Sequence, residues 1–269
     1  MKKDEKIIYP LSNPIVFAMV MNDKERCRKL LERILTERTI KDIKFAKDEY
    51  LETEKTIHNG VHYKSVRLDV LFEDEEAWYD IEMQVEDGKN LPNRSRYYHA
   101  SVDTHSLLKG ADYDDLKPCY VIFICMFDMM GQDEAVYRFQ MREDNLGLPL
   151  GENRYTIIFN TKCSEEKVPI ELKGLFNYLE KQNTDDSKDE FINEMHREVM
   201  KHNKGKELIA LMTLEEELKI RYKRGREDGF AEGKLEAALE NAKKMKERGM
   251  DTGLISEITG LSVEDVEKL

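Results

Sequence analysis

The sequence is short of several things, and each shortage excludes a class of protein. No apolar run approaches the length of a membrane span. The opening residues, MKKDEKIIYP, contain no apolar stretch of the kind a secretion signal needs. Cysteine is scarce. Four residues stand at 27, 119, 125 and 163, without a C-x-x-C pair. Cys119 and Cys125 fall in an apolar run and read as reduced core residues, which points to the cytoplasm. Positive charge is also in deficit, since 43 Lys and Arg face 55 Asp and Glu and leave a net charge of −12. A surface with that balance does not coat nucleic acid along its length. Any such contact has to be local, through a basic patch and metal ions.

What is present fits a globular protein. A chain of 269 residues, 40% hydrophobic and 36% charged, can build one large α/β domain with a solvated surface and a smaller appendage. Asn13 caps a helix with Pro14 at its first position, and apolar residues from Phe17 to Leu35 recur at helical spacing. Asp23 and Glu25 interrupt that run, so two helices are expected. Asp23 reads as a solvated surface acid. Asn59-Gly60 marks a hairpin turn, with strands over Thr53–Ile57 and Val61–Tyr63 and two turn histidines, His58 and His62.

The most informative stretch is 67–84, RLDVLFEDEEAWYDIEMQ. Period-two alternation predicts strands over 65–72 and 78–85. Pairing Asp69 opposite Glu82 puts residue 73 opposite 78 and leaves Asp74 to Ala77 as a four-residue loop, a common hairpin length. Asp80, Glu82 and Gln84 then share a face. Opposed residues have Cβ atoms about 5 Å apart. Two carboxylates that close repel unless they are protonated or bridged by a cation. A hard divalent ion with oxygen ligands resolves the conflict.

A helix follows from Leu91-Pro92 to about Lys109, carrying Arg94, Tyr97, Tyr98 and His99. Pro118–Phe127 is nearly all apolar and predicts a buried strand, parallel to an earlier one because a helix connects them. Further strands are expected over 135–141 and 155–161, and a helix over 168–181. The polar stretch 182–189 predicts a boundary, with one domain over 1–185 and a helical region over 186–269. A chain ending near 188 is then expected to stay folded.

In the helical region, residues 206–248 predict one long helix or two. Gly225, Gly229 and Gly233 share a helix face. Five basic residues between Lys219 and Arg226 follow three glutamates; they suit DNA phosphates or intrahelical pairing. The tail reads as two short helices around a Gly turn, with Ser262 as cap and Asp265 three residues on.

The residues D-V-L at 69–71, Y-D-I-E-M-Q at 79–84 and R-S-R-Y-Y at 94–98 resemble the PD-(D/E)XK nuclease superfamily. More narrowly they resemble its Rpn recombination-promoting nucleases, also labelled PD-(D/E)XK family transposases. The resemblance implies an α/β fold with a restriction-endonuclease-like mixed β-sheet flanked by helices, followed here by a C-terminal helical extension. It implies a Mg²⁺- or Mn²⁺-dependent DNA endonuclease with a role in recombination. Asp69 and Glu82 are the implied metal ligands, with the Met83 carbonyl as another, and Gln84 stands where the superfamily usually has a catalytic Lys. Gln cannot act as a general base but can orient water. Lys64, Arg67 and Lys89 are candidates to restore the positive charge. Arg94, Tyr97 and Arg67 are candidates for DNA contact, with Arg94 as a fork on phosphate; the alternatives are tyrosines packed on the sheet and Arg94 paired with a surface acid. Asp80 lies one rung further along and reads as a supporting acid. No DDE-type integrase triad stands in the sequence. The alternative function is a nuclease-fold module that binds DNA or protein without cleaving, with self-association through the C-terminal helices.

Overall fold

The computed structural model of the chain describes residues 7–45, 55–57, 66–184 and 188–268, with the backbone alone at 55–57, 66–67 and 215–235. The Asn59-Gly60 turn, His58, His62 and Lys64 lie outside the described residues.

The first two helices begin at side-chain caps. The Asn13 carboxamide accepts from the Ile15 and Val16 N–H groups and opens α1 (Pro14–Met21). The Asp23 carboxylate accepts from the Arg26 N–H at 2.9 Å and opens α2 (Lys24–Ile34). Asp23 is therefore a helix cap, and the break it was expected to make is real.

The strands follow as β1 (Lys44–Phe45), β2 (Lys55–Ile57), β3 (Val66–Leu68), β4 (Val70–Glu73) and β5 (Trp78–Gln84). Next come α3 (Leu91–Ser106), β6 (Cys119–Cys125), β7 (Val136–Phe139), β8 (Arg154–Asn160), α4 (Ile170–Lys181) and α5 (Glu190–Asn203). Six strands form one mixed sheet in the order β1-β4-β5-β6-β8-β7. The central β5, β6 and β8 are parallel, while β1–β4, β4–β5 and β7–β8 are antiparallel. β2 and β3 pair separately as an antiparallel ribbon. The strand expected over 65–72 is thus two pieces in two sheets, broken at Asp69.

Burial explains the centre. Every residue of β6 is buried, as a parallel strand covered on both faces requires. On one face α3 sets Leu91, Tyr98 and Val102 among Cys119, Val121, Phe123 and Ile158. Alternate residues form another cross-strand row. Phe72, Tyr79, Tyr120 and Tyr155 stack in register across four strands, with ring centroids 5.5, 5.4 and 4.7 Å apart. Helix α1 packs on β5 and α5, and α4 packs on α2 and α5.

The first compact unit runs to Ile209, beyond the boundary expected at 185/186. The reason is α5. It buries Phe191, Ile192, Met195 and Val199. Asp189 at its start holds Arg33 of α2 through two bonds of 2.6 and 2.8 Å, and Glu194 holds Lys29 at 2.7 Å. Asn203 at its end accepts from the N–H groups of Ile8 and Tyr9. The polar stretch 182–189 is a connection inside the unit.

The second unit, Ala210–Leu269, takes most of α6 (Lys206–Glu247), then α7 (Thr252–Thr259) and α8 (Val263–Lys268). Its small core is Ala242, Ile255, Leu261 and Val266. Gly260 ends α7 at φ 73°, a conformation glycine adopts without penalty. Ser262 Oγ accepts from the Asp265 N–H at 3.1 Å, the expected cap. No helix among the described residues is long and apolar enough to cross a membrane.

Candidate active site

The site begins where the ladder between the first two long strands stops. β4 pairs β5 with Val70 opposite Ile81 and Glu73 opposite Trp78, a register that brings Asp69 opposite Glu82. At Asp69 the chain bends and β3 leaves for its own ribbon. Two side chains replace the lost ladder bonds. Glu82 Oε1 accepts from the Asp69 N–H at 2.9 Å, and Asp69 Oδ2 accepts from the Met83 N–H at 3.0 Å. Each acid is fixed by backbone at the other's strand, so both carboxylates are held in place before anything binds.

Arg94, on the first turn of α3, reaches the same place. Its Nη2 donates to Glu82 Oε2 at 3.0 Å and its Nη1 to Gln84 Oε1 at 2.5 Å. Nε and Nη2 also donate to the Tyr98 hydroxyl at 3.1 and 2.8 Å. The guanidinium lies over the rings of Tyr98 and Phe123. The Gln84 amide donates to the Met83 carbonyl at 2.8 Å. Gln84 is thereby fixed at both ends, by Arg94 on its oxygen and by a carbonyl on its nitrogen.

Burial sets the electrostatics. Asp80 is fully buried and Glu82 is 2% exposed. Burial pushes both carboxyls well above the usual carboxylate range, and the charge of Asp69 pushes them further. Arg94 pulls in the other direction without reversing the shift, so desolvation outweighs the ion pair. Across the sheet, His99 is 3% exposed, with Nε2 at 3.1 Å from Thr156 Oγ1, which also meets Ser95 Oγ at 2.6 Å. Burial pushes the His99 imidazole down to about 3, so it stays neutral.

The donor set suits a hard divalent ion. Asp69, Glu82, the Met83 carbonyl and the bare oxygens of Asp80 are all oxygen donors, the kind Mg²⁺ and Mn²⁺ prefer. No three acidic, His or Cys side chains among the described residues converge on one point. Mg²⁺ sites commonly use one or two carboxylates and complete the shell with water and phosphate.

Asp69, Glu82, Met83, Gln84 and Arg94 come together. Tyr98, expected to pack on the sheet, does so and also holds Arg94. Tyr97 is exposed on α3. The side chain of Arg67 lies outside the described atoms. Lys89 is exposed in the loop before α3, its N–H donating to Asp87. The positive charge beside Glu82 and Gln84 comes from Arg94, ten residues along the chain from Gln84. Helical spacing from Leu91 could have signalled this, because positions 91, 94, 95 and 98 share the face that meets the sheet. The Ser95–Thr156–His99 cluster has no local signal, since nothing in the sequence links position 156 to 95.

With this geometry established, a family model described as PD-(D/E)XK nuclease family transposase matches residues 15–229. Searches of curated proteins and of solved structures gave no match.

Proposed function

Because the chain belongs to the PD-(D/E)XK nuclease family transposases, we propose that it is a divalent-metal-dependent endonuclease that hydrolyses phosphodiester bonds in DNA. The observation that carries this reading is the pairing of Asp69 with Glu82, each fixed by the other strand's backbone, with a guanidinium on their open side. Asp69, Glu82 and the Met83 carbonyl would hold Mg²⁺ or Mn²⁺. A metal bound there supplies an activated water and relieves charge on the phosphate. Gln84 orients that water through an amide already locked in direction. Arg94 turns its fork from Glu82 to a phosphate oxygen, with Tyr98 as the hinge support. Arg67 and Tyr97 extend the DNA contact along the strand and helix. The four unpaired cysteines fit a reducing compartment, the cytoplasm. The C-terminal unit serves self-association or target contact, and the family's transposase label fits a role in recombination.

The test is a plasmid-nicking assay with Mg²⁺ and Mn²⁺. Wild type is expected to nick only with the ion, and Asp69→Ala to fall to background. Calorimetric titration of Glu82→Ala should show ion binding lost. Nicking that persists in Asp69→Ala would remove the assignment.

A second reading is favoured by one specific observation. Gln84 is neutral, and the nearby cation is committed to Glu82. In that reading the fold binds DNA without cutting it. Gln84→Lys separates the two. A slow nuclease should speed up or hold level, because an ammonium near the attacked phosphate stabilises developing charge. Wild type and variant both inert at saturating ion, with the ion bound, would support the binding module.

A further inference from the structure

Directed bonds tie α3 to the sheet on both sides of β6. Arg94 reaches Glu82 and Gln84 on β5. The next residue, Ser95, meets Thr156 of β8, Oγ to Oγ1 at 2.6 Å, and His99 one turn on meets the same hydroxyl at 3.1 Å. β5 and β8 stand on either side of β6, roughly 10 Å apart at the usual strand spacing. Ser95 and His99 are buried, 5% and 3% exposed, and Thr156 has Val121 and Phe139 beside it in register. An apolar side chain at that point of β8 would suit those neighbours. The hydroxyl cluster instead leaves His99 Nδ1 buried without a partner. Stability alone does not select such an arrangement, because a polar atom left unpaired in the interior is costly. A directed bond does what apolar packing does not: it fixes a position.

We propose that Thr156 is a positioning residue for Arg94: by fastening Ser95 and His99 it sets the rotation and height of α3, and so where the guanidinium stands. The inference rests on the reading of Arg94 as the cation that turns to phosphate, and adds the group that places it. The arginine side chain is long and flexible, so its own bonds leave the helix room to turn or slide. A serine hydroxyl stands close to its backbone, so the short bond from Ser95 holds the helix itself. Leu91 and Val102 pack on the sheet through apolar contact, which has no preferred direction. When Arg94 leaves Glu82 for a phosphate, that tie to β5 is given up and the fastening to β8 stays. The pattern repeats one turn along α3. Tyr98 supports Arg94 as His99 supports the bond to Thr156.

The test uses the full chain and reads Arg94 directly. Its Nε–H, which donates to the Tyr98 hydroxyl, gives a ¹⁵N–¹H signal identified by its loss in Arg94→Lys. Two apolar variants are compared with Thr156→Ser, which keeps the hydroxyl. One is Thr156→Val; the other combines Ser95→Ala, Thr156→Val and His99→Leu. The combined variant removes every polar partner at once, so it should keep a cooperative transition near the wild-type temperature. In both apolar variants the Arg94 signal should broaden or vanish, whereas Thr156→Ser should retain it. Nicking at saturating ion should fall roughly 10- to 100-fold in Thr156→Val, with ion affinity unchanged. Thr156→Val should add nothing to the loss already caused by Arg94→Ala. A wild-type Arg94 signal in the folded apolar variants would overturn the proposal, and so would its loss in Thr156→Ser. Failure of both apolar variants to fold would assign the cluster to the fold alone, and the positioning role falls. A wild type that nicks with neither ion would sink the nuclease reading, while the Arg94 signal would still decide this one.

Discussion

Arg94 shows how much one side chain can hold together. It joins Glu82, Gln84 and Tyr98 through one planar group. Glu82 is almost fully buried, so removing Arg94 leaves a buried carboxyl oxygen without its donor. Arg94→Ala is expected to cost about 1–3 kcal/mol, read from urea unfolding. Arg94→Lys keeps the charge but loses the fork, and should recover only part of that. An unchanged unfolding midpoint in Arg94→Ala would show the ion pair to be idle. His99 gives a pH signature. Its imidazole is pushed down to about 3, below the ordinary 6.5 that it regains on unfolding. The unfolded chain therefore takes up a proton first. The stability His99 contributes is complete above about pH 6.5 and is lost as pH falls from there toward 3. His99→Leu should flatten that part of the stability-against-pH curve. A variant with the wild-type slope would place the acid sensitivity elsewhere.

At the scale of elements, the β4–β5 hairpin decides the site. Its loop is closed by Asp74, 3% exposed, whose carboxylate accepts from the Glu76 and Ala77 N–H groups and the Tyr79 hydroxyl at 2.9, 2.8 and 3.2 Å. These bonds fix where the strands meet, and a slip of one residue would turn Asp69 and Glu82 to opposite faces. Asp74→Ala should cost about 1–2 kcal/mol in chemical denaturation and should also weaken ion binding, because the register of the acids depends on the loop. Loss of stability with full ion binding would show that the pairing holds without the loop bonds. The hairpin was legible in the sequence because alternation and loop length are local properties. The break at Asp69 was not. It arises because β3 pairs with β2 and leaves the main sheet, a choice that depends on a distant partner.

For the whole molecule, the division at Ile209 has a direct consequence. A chain ending at 188 loses α5, and each buried Phe, Ile, Met or Val it carried is worth roughly 1.5–3 kcal/mol. That chain should show a lower Tm or aggregate, whereas one ending at 209 should keep a cooperative transition. Equal thermal stability of the two would return the boundary to the polar stretch. Composition was a poor guide here, since QNTDDSKD is polar over its whole length, yet its last residue, Asp189, anchors Arg33. A segment without apolar residues can still be tied down by charge.

By itself, the sequence determined the elements and the pairings that depend on near neighbours. Caps at Asn13 and Ser262, the parallel core strand, the helix after Leu91 and the register of Asp69 with Glu82 all follow from local spacing and chemistry. Only the tertiary structure decided which groups share a volume. It brought Arg94 to Gln84 where a nearer lysine was sought, enclosed Asp80 without a donor, and seated α5 on α1 and α4. Those outcomes turn on burial and on contacts between distant segments. The cost of burying a charge depends on every surrounding atom, which no spacing along the chain encodes.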